Sequence, residues 1–308
     1  MMRHLRSLFD VSSSEIQDIF IETAKMKKSP RADGGLLAGK HIGLIFQKPS
    51  NRTRVSFEVG ISQLGGRAIY LSPGEINLGV REAVPDVAKT LSRYLDGIVA
   101  RVFRQADVED LAKHGSIPVV NALSDMYHPC QALTDVFSIK ERFGALKGLT
   151  MSYIGDGNNV GHSLIIAAAK VGMNVRMATP KGYEPDLEVV ARAREFAKEN
   201  GSEIILSNSP EEAAKGAQIF YTDVWVSMGE EAQLERRLKD FKNFQVNANL
   251  AALADKNYIF MHCLPAHRGQ EVSADVMDDS VHSIVFDQAE NRLHTQKAIL
   301  KFLFLNKH

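Results

Sequence analysis

The chain has 308 residues, which is long enough for two domains that each bury a hydrophobic core. Its 37 basic and 37 acidic residues balance, so no overall charge attracts nucleic acid or an anionic membrane, and we expect neither as a partner. No apolar run reaches the ~18 residues of a membrane span. Cys130 and Cys263 lie too far apart in sequence to suggest a disulfide framework, so we expect free thiols and a cytoplasmic protein.

Short apolar runs alternate with amphipathic helical patterns over the first half of the chain. Ser12-Ser13-Ser14-Glu15 is typical of a capping box and predicts the start of a first helix. The predicted strands that follow are 42–46, 68–71, 97–101 and 118–121, and the predicted helices are 50–64, 83–94, 107–114 and 130–142. Strands and helices in alternation predict a parallel sheet covered by helices on both faces.

The alternation restarts after Gly144 and Gly148. The second set of predicted strands is 150–154, 174–178, 203–207, 219–222 and 258–261, and the predicted helices are 160–171, 186–199 and 290–305. We therefore predict an α/β protein with two domains, each a parallel sheet flanked by helices, and a C-terminal helix that packs back on the first domain. The expected bounds are 1–146, 147–289 and 290–308.

The stretch from Phe46 to Glu58 combines a strand end, a tight turn and a helix start. Pro49 ends the strand because proline cannot donate to a β-ladder, and Ser50 is placed to cap the helix. Backbone N–H groups and the positive end of the helix dipole converge at such a turn. Two hydroxyls and two guanidinium groups join them, from Ser50, Arg52, Thr53 and Arg54. We predict a phosphate site here; the alternative is a capped helix with solvated arginines.

Two more residues are predicted to lie at the carboxyl edge of the same sheet. Arg101 ends a predicted strand, and His128 follows the next strand and precedes a helix. Ligands bind at this edge in such folds. A neutral imidazole there can donate a hydrogen bond to a carbonyl oxygen, although a lone histidine is more often structural.

Three turns in the second half carry polar side chains after predicted strands. Residues 155–161 (Gly-Asp-Gly-Asn-Asn-Val-Gly) suggest a dinucleotide-binding turn, but the spacing is G-x-G-x-x-x-G and the aspartate would face a pyrophosphate. Residues 223–229 place a carboxylate, a hydroxyl and a glycine in one loop, where an ammonium group could bind; an ordinary polar loop is the alternative. His262 and Cys263 point to opposite sides of an extended segment and cannot share a proton, which leaves an inert buried thiol as the alternative for Cys263.

Five motifs, in order along the chain, resemble those of the aspartate and ornithine carbamoyltransferase family. Residues 50–58 (Ser-Asn-Arg-Thr-Arg-Val-Ser-Phe-Glu) resemble its carbamoyl-phosphate loop, with Asn51 where the family usually has threonine. Residues 128–135 (His-Pro-Cys-Gln-Ala-Leu-Thr-Asp) resemble its second signature. The second asparagine of the turn at 155–161 resembles the family's contact to the amino acid substrate. Asp-x-x-x-Ser-Met-Gly at 223–229 and His-Cys-Leu-Pro at 262–265 resemble the ornithine-specific branch.

This resemblance implies transfer of the carbamoyl group of carbamoyl phosphate to the side-chain amine of L-ornithine, without a metal or an organic cofactor. The implied catalytic residues are Arg52, Arg101, His128 and Cys263. The implied carbamoyl-phosphate contacts are Ser50, Asn51, Arg52, Thr53, Arg54, Asn77, Arg101, His128, Gln131, Cys263, Leu264 and Arg292. The implied ornithine contacts are Asn159, Asp223, Ser227 and Met228.

The resemblance also implies a homotrimer or a multiple of trimers, in which the loop around Asn77 reaches the site of a neighbouring subunit. Asn77 stands where the family usually has glutamine, and Pro73, Gly74 and Gly79 predict a flexible loop. Closure of the domains and of the Ser-Met-Gly loop is expected to exclude water. The alternatives are a sister transferase acting on putrescine or an acylated ornithine, a nicotinamide oxidoreductase, and a non-catalytic anion-binding protein.

Overall fold

The computed structural model describes residues 2–226 and 231–305 of the chain. The chain divides into two compact units, residues 1–137 with 289–308, and residues 138–288. None of the helices in the described ranges combines the length and the apolar character that crossing a lipid bilayer requires. Ser227, Met228 and Gly229, which the sequence singles out, lie outside the described residues.

The strands match the predicted ones closely. They are β1 His41–Phe46, β2 Arg67–Leu71, β3 Gly97–Arg101, β4 Val119–Leu123, β5 Thr150–Ile154, β6 Asn174–Ala178, β7 Ile204–Ser207, β8 Ile219–Thr222 and β9 Ile259–His262. β1 and β3 to β5 are almost fully buried, as expected of parallel strands that helices cover on both faces.

Helices follow most of these strands. They are α1 Ser13–Lys28, α2 Asn51–Gln63, α3 Pro73–Ile76, α4 Val84–Leu91, α5 Gln105–His114, α6 Pro129–Phe143, α7 Asn159–Lys170, α8 Leu187–Asn200, α9 Pro210–Ala214, α10 Leu234–Asp240, α11 Ala248–Ala251, α12 Ala274–Met277 and α13 Val285–Leu305. The capping box that opens α1 and the Ser50 cap of α2 are confirmed. The predicted flexible loop at 73–79 contains a one-turn helix instead, because Ser72 and Glu75 form a capping box.

Each unit contains one parallel sheet, which confirms the predicted fold class. The first has the strand order β2-β1-β3-β4 and the second has the order β7-β6-β5-β8-β9. In each sheet the chain reverses its direction of winding once, between β1 and β3 and between β5 and β8. Ligands of open α/β sheets bind at the carboxyl ends of the two strands that flank such a point. The strand order therefore predicts one binding site in each unit, at the carboxyl ends of β1 and β3 in the first sheet and of β5 and β8 in the second.

The C-terminal helix α13 packs back on the first unit, as predicted, but it begins at Val285 rather than near residue 290. Lys301 forms ion pairs with Glu22 of α1 and with Asp33. Lys297 is fully buried and donates to the side chain of Gln63, the last residue of α2. These polar contacts fix the helix that carries Arg292 against the helix that carries the predicted phosphate loop.

Candidate active site

The first predicted site lies where β1 and β3 are neighbours. Phe46, the last residue of β1, pairs in register with Arg101, the last residue of β3. The backbone N–H of Gln47 then donates to the carbonyl oxygen of Arg101 at 2.8 Å. The turn that leads to α2 is thereby tied to the strand that carries the predicted arginine. Parallel pairing explains why two residues distant in sequence reach one edge.

The N-terminus of α2 is held by hydroxyl groups. The Ser50 side chain caps the helix by accepting from the backbone N–H of Thr53 at 3.3 Å, and its hydroxyl donates to the Thr53 hydroxyl at 3.1 Å. Nη2 of Arg292 donates to the same Thr53 hydroxyl at 2.7 Å. The structure thus brings the predicted arginine of α13 to the predicted phosphate loop, across 239 positions of sequence.

His128 is buried among positive charges. Burial is the largest cause that holds the pKa of this histidine well below its ordinary value of 6.5, and the guanidinium groups of Arg292, Arg101 and Arg52 add to it. The imidazole is therefore neutral at physiological pH and can donate one hydrogen bond without adding a charge. The three arginines form a positive cluster, which suits a dianionic phosphate.

The other predicted residues of this edge are placed differently from one another. Gln131 is buried and donates to Asp135 at 2.7 Å, while its Oε1 has no hydrogen-bond partner among the described residues. Arg54 is exposed: its Nε lies 2.9 Å from Glu58, and its Cζ stands 3.8 Å from the centre of the Tyr70 ring. Asn51 is exposed as well. Arg54 therefore contributes no charge to the cluster around His128, and the side chain at position 51 is not buried in it.

The two cysteines differ in their surroundings. Cys130 is fully buried in α6, and its thiol donates to the carbonyl oxygen of Asn121. Burial raises the pKa of this thiol to about 12, so it is an inert core residue. Cys263 is only partly buried and belongs to the second candidate edge.

Asn77 has a geometry that explains its residue type. It ends α3 in the left-handed conformation, with φ of 37°, and its carbonyl accepts from the backbone N–H groups of Val80 and Arg81. Asparagine tolerates this conformation better than other residues with a side chain, apart from its close relative aspartate. The side chain is exposed. The asparagine thus serves as a helix C-cap within its own subunit.

The glycine turn after β5 is filled by the protein's own backbone. Gly157 donates to the carbonyl oxygen of Tyr183 at 2.9 Å, and a Cβ at this position would collide with backbone atoms of residues 183–185. Glycine is therefore required for a backbone contact inside the unit, not for the approach of a pyrophosphate. The dinucleotide alternative loses the main feature that suggested it.

Asn158 and Asp223 join the two strands at the second candidate edge. Asn158 caps α7 through its side-chain oxygen, and its Nδ2 donates to Oδ2 of Asp223 at 2.9 Å. Asn159, the predicted ornithine contact, is the first residue of α7 and is partly buried beside it. Asp223 follows β8 and is almost fully buried. A carboxylate fixed at such a place can receive an ammonium group.

The thiol of Cys263 donates to Oδ1 of Asp223 at 3.0 Å, and this contact links the ends of β8 and β9. Ligand atoms of Asp223, His262 and Cys263 all lie within 4.8 Å of one another, a spacing that could hold a metal ion. His262 is committed elsewhere, however: its Nδ1 accepts from the backbone N–H of Leu264 at 2.9 Å, and its Nε2 lies 3.3 Å from Glu271. Two donor atoms then remain, which is fewer than a structural or catalytic metal site uses.

Leu264 has a strained backbone conformation. Its φ is 61°, in the left-handed region that residues with a branched side chain rarely adopt. The bond from its N–H to the ring of buried His262 stabilises this conformation. Strain of this kind collects at binding and catalytic sites, where the surrounding structure holds a backbone group in a required orientation.

Sequence reasoning missed one buried pair at this edge. Arg237 of α10 donates to Oδ2 of Asp156 at 2.7 Å and to the carbonyl oxygen of Trp225 at 2.9 Å. All three residues are more than nine-tenths buried. The glycines on either side of Asp156 indicated the turn. The sequence pattern did not predict α10, however, so Arg237 could not be predicted as the partner of the Asp156 carboxylate.

Comparisons with family models, with curated proteins and with solved structures all identify the same family. Residues 3–141 match the carbamoyl-P binding domain of aspartate/ornithine carbamoyltransferases, and residues 147–303 match their Asp/Orn binding domain. Ornithine carbamoyltransferase of Thermococcus kodakarensis is 54% identical over 301 residues, which cover 97% of this chain and 95% of the relative. The anabolic enzyme of Pyrococcus furiosus is 53% identical over the same length, with 97% and 95% covered. The solved structure of a P. furiosus ornithine carbamoyltransferase superposes with a TM-score of 0.95 at 49% identity and covers 99% of this chain and 98% of its own.

Proposed function

The chain belongs to the aspartate/ornithine carbamoyltransferase family, and we propose that it transfers the carbamoyl group of carbamoyl phosphate to the side-chain amine of L-ornithine. The products are L-citrulline and phosphate. The first unit binds carbamoyl phosphate in this proposal, and the second binds ornithine. Because the P. furiosus relative is named anabolic, we place the reaction in the biosynthetic direction.

The observation that carries the choice of ornithine is the buried carboxylate of Asp223 beside the thiol of Cys263. A carboxylate at the amino acid site attracts an ammonium group and repels a second acidic substrate such as aspartate. Asn159 and the predicted contacts Ser227 and Met228 complete the ornithine site in this proposal. Putrescine keeps an ammonium group in place of the α-amine but lacks the carboxylate of ornithine, so it would lose the contacts that this set of polar groups makes with the carboxylate.

Carbamoyl phosphate is proposed to bind at the N-terminus of α2. Ser50, Thr53 and the backbone N–H groups of that turn bind phosphate oxygens, and the guanidinium groups of Arg52, Arg101 and Arg292 neutralise the charge. Asn51 and Arg54 remain predicted contacts, Arg54 only if its guanidinium leaves Glu58. The free Oε1 of Gln131, unpaired in the described residues, is a suitable acceptor for the carbamoyl amide.

The chemical step follows from these groups. The free amine of ornithine attacks the carbamoyl carbon, negative charge grows on the carbamoyl oxygen, and the C–O bond to phosphate breaks. Neutral His128, with Arg101 and Thr53, donates to that oxygen as the charge grows. The phosphate leaves with its charge held by Arg52, and the proton of the amine departs with it. Cys263 and the carbonyl oxygen of Leu264, whose orientation the strained backbone fixes, direct the attacking amine.

One assay distinguishes this function from its relatives. Citrulline is measured from carbamoyl phosphate and L-ornithine, with putrescine, N-acetylornithine and L-aspartate each offered in place of ornithine and as competitors. We expect turnover with ornithine at a kcat/KM at least about 10²-fold above any of the others, which corresponds to the loss of a charge-assisted contact. Equal or better use of putrescine or N-acetylornithine would assign the chain to a sister activity.

We also propose a trimer in which Asn77 contributes to a neighbouring subunit's site. Arg52→Ala and Asn77→Ala chains, each nearly inactive, should regain activity when they are unfolded together and reassembled. Mixed trimers would contain sites in which one subunit supplies Arg52 and its neighbour supplies Asn77. A simple sum of the two residual activities, with mixed trimers demonstrated by mass, would refute the shared site.

A further inference from the structure

Arg237 forms the centre of a buried network at the second candidate edge. Its Nη1 reaches both Oδ2 of Asp156 and the carbonyl oxygen of Trp225, and its Cζ lies 5.1 Å from the centre of the Tyr183 ring. Tyr183 in turn packs edge-on against Phe241, with ring centres 4.6 Å apart. One guanidinium group therefore connects the turn after β5, the segment after β8 and helix α10.

The two loops that Arg237 joins are those that carry the proposed ornithine contacts. Asp156 stands two and three positions before Asn158 and Asn159, and Trp225 stands two positions after Asp223. The same two loops are joined a second time by the bond from Asn158 to Asp223. Tyr153 reinforces the first loop, since its hydroxyl donates to the carbonyl oxygen of Asp156 at 2.9 Å.

Burial makes this arrangement costly to break. Asp156 is 7% exposed and Arg237 is 6% exposed, so removal of the guanidinium leaves a buried carboxylate and a buried carbonyl without this partner. A planar guanidinium can serve two acceptors at a fixed angle, which a lysine ammonium group does less well. The residue type at position 237 thus fits the task of holding two loops at a set distance.

We propose that Arg237 is a positioning residue for the amino acid substrate. It fixes the segment Asp223–Trp225 against the turn at Asp156, and so sets the place of the Asp223 carboxylate that receives the ornithine ammonium. This inference rests on the proposed function for the identity of the substrate. The geometry of the network itself does not depend on that identity.

The chain offers a matched control on the same helix. Arg236 precedes Arg237 in α10, but its side chain is 78% exposed and lies 3.5 Å from Asp240 on the surface. Arg237→Gln and Arg236→Gln remove the same charge from adjacent positions. We expect Arg237→Gln to raise the KM for ornithine about tenfold or more and to change the KM for carbamoyl phosphate less than about twofold. Arg236→Gln should match the wild type in both.

Trp225 gives a readout that does not require turnover. It is the only tryptophan of the chain, and it is buried against Phe241 with ring centres 5.8 Å apart. In Arg237→Gln, acrylamide should quench the fluorescence of Trp225 more strongly than in the wild type. L-norvaline, which resembles ornithine without the side-chain amine, should reduce this quenching only at high concentration. Arg236→Gln should be quenched as the wild type is.

A second variant covers the case in which Arg237→Gln does not fold. The pair Asp156→Asn with Arg237→Gln leaves no charge buried alone but still removes the donor to Trp225. This double variant should fold, and it should show the same selective rise in the KM for ornithine and the same increase in acrylamide quenching of Trp225.

The outcomes separate the two proposals. The positioning role would be overturned if the folded Arg237 variants had the wild-type KM for ornithine and the wild-type quenching of Trp225. It would also be overturned if the KM for ornithine and the KM for carbamoyl phosphate rose equally. Absence of citrulline formation by the wild type would instead overturn the proposed function, and the quenching comparison would still decide whether Arg237 holds the segment.

Discussion

The thiol of Cys263 and the carboxylate of Asp223 are joined by a hydrogen bond of 3.0 Å, although 40 positions separate them in sequence. The contact exists because β8 and β9 are parallel neighbours and both residues follow the paired ends Thr222 and His262. Asp223 also accepts from Asn158 and from the N–H of Val224. Its carboxylate is thus held from three sides.

This relationship predicts a selective effect at Cys263. Cys263→Ala removes the donor to Asp223, so we expect a higher KM for ornithine while the KM for carbamoyl phosphate changes little. Cys263→Ser keeps a donor and should lie between the alanine variant and the wild type. Initial rates measured with each substrate varied in turn provide the test. Equal weakening of both substrates would contradict a role of the thiol that is specific to the ornithine site.

The two arginines of the α2 turn are expected to differ. Arg52→Ala should lower turnover by about 10²- to 10³-fold, because Arg52 belongs to the positive cluster that is proposed to receive the departing phosphate. Arg54→Ala should cost far less, since its guanidinium is committed to Glu58 and Tyr70 on the surface. Comparable losses in kcat/KM for the two variants would contradict the placement of these side chains.

His128 should make the stability of the protein depend on pH in the acid range. Burial and three arginines keep its folded-state pKa well below the unfolded value of 6.5, so the unfolded chain binds a proton in the interval that the folded chain does not. The contribution is fully present above pH 6.5 and decreases as the pH falls below it. His128→Asn should therefore flatten the fall in unfolding free energy between about pH 6.5 and pH 5.

Denaturant titrations at several pH values measure this slope. The variant His114→Asn, which changes a partly exposed histidine of α5, is measured beside it as a control for the loss of a histidine as such. A His128→Asn slope identical to that of the wild type would mean that the imidazole is not held neutral by its surroundings.

Asn77 is expected to have two separable effects. Asn77→Gln, which restores the usual family residue, should lower the unfolding free energy by about 1 kcal/mol, because glutamine tolerates the left-handed conformation less well. Asn77→Gly should preserve stability and lose any contact that the side chain makes with carbamoyl phosphate. Chemical unfolding and the KM for carbamoyl phosphate measure the two effects. A more stable glutamine variant would contradict the capping role.

The sheets could be predicted from the sequence because parallel strands buried on both faces leave continuous apolar runs. Those runs located all the described strands of both sheets, including β9 at 259–262. The short helices α9 to α12 left no such signal, since one or two turns carry too few residues for a helical period. An apolar pattern also does not guarantee burial: Val55 and Val59 extend the apolar pattern of α2, but both are exposed.

The candidate site could be predicted only in part. Strand ends and the resemblance located Arg101, His128 and Asp223, but the pair formed by Asp156 and Arg237 spans 81 positions and depends on a helix with no sequence signal. The hydrogen bond from Arg292 to Thr53 could not be predicted from the sequence either, because only the fold brings α13 to the N-terminus of α2. Sequence therefore indicated the groups that are proposed to contact ligands better than the groups that hold those residues in place.

The most direct test of the central claim is the bond that the enzyme forms. Carbamoyl phosphate labelled with ¹³C is supplied with L-ornithine that carries ¹⁵N either at the side-chain amine or at the α-amine, and the product is observed by NMR. We predict a carbamoyl carbon coupled directly to nitrogen only when the side-chain amine carries the label. Coupling from the α-labelled substrate, or ¹³C that appears only as carbonate from hydrolysis, would contradict the assignment of this chain as a transferase to the ornithine side chain.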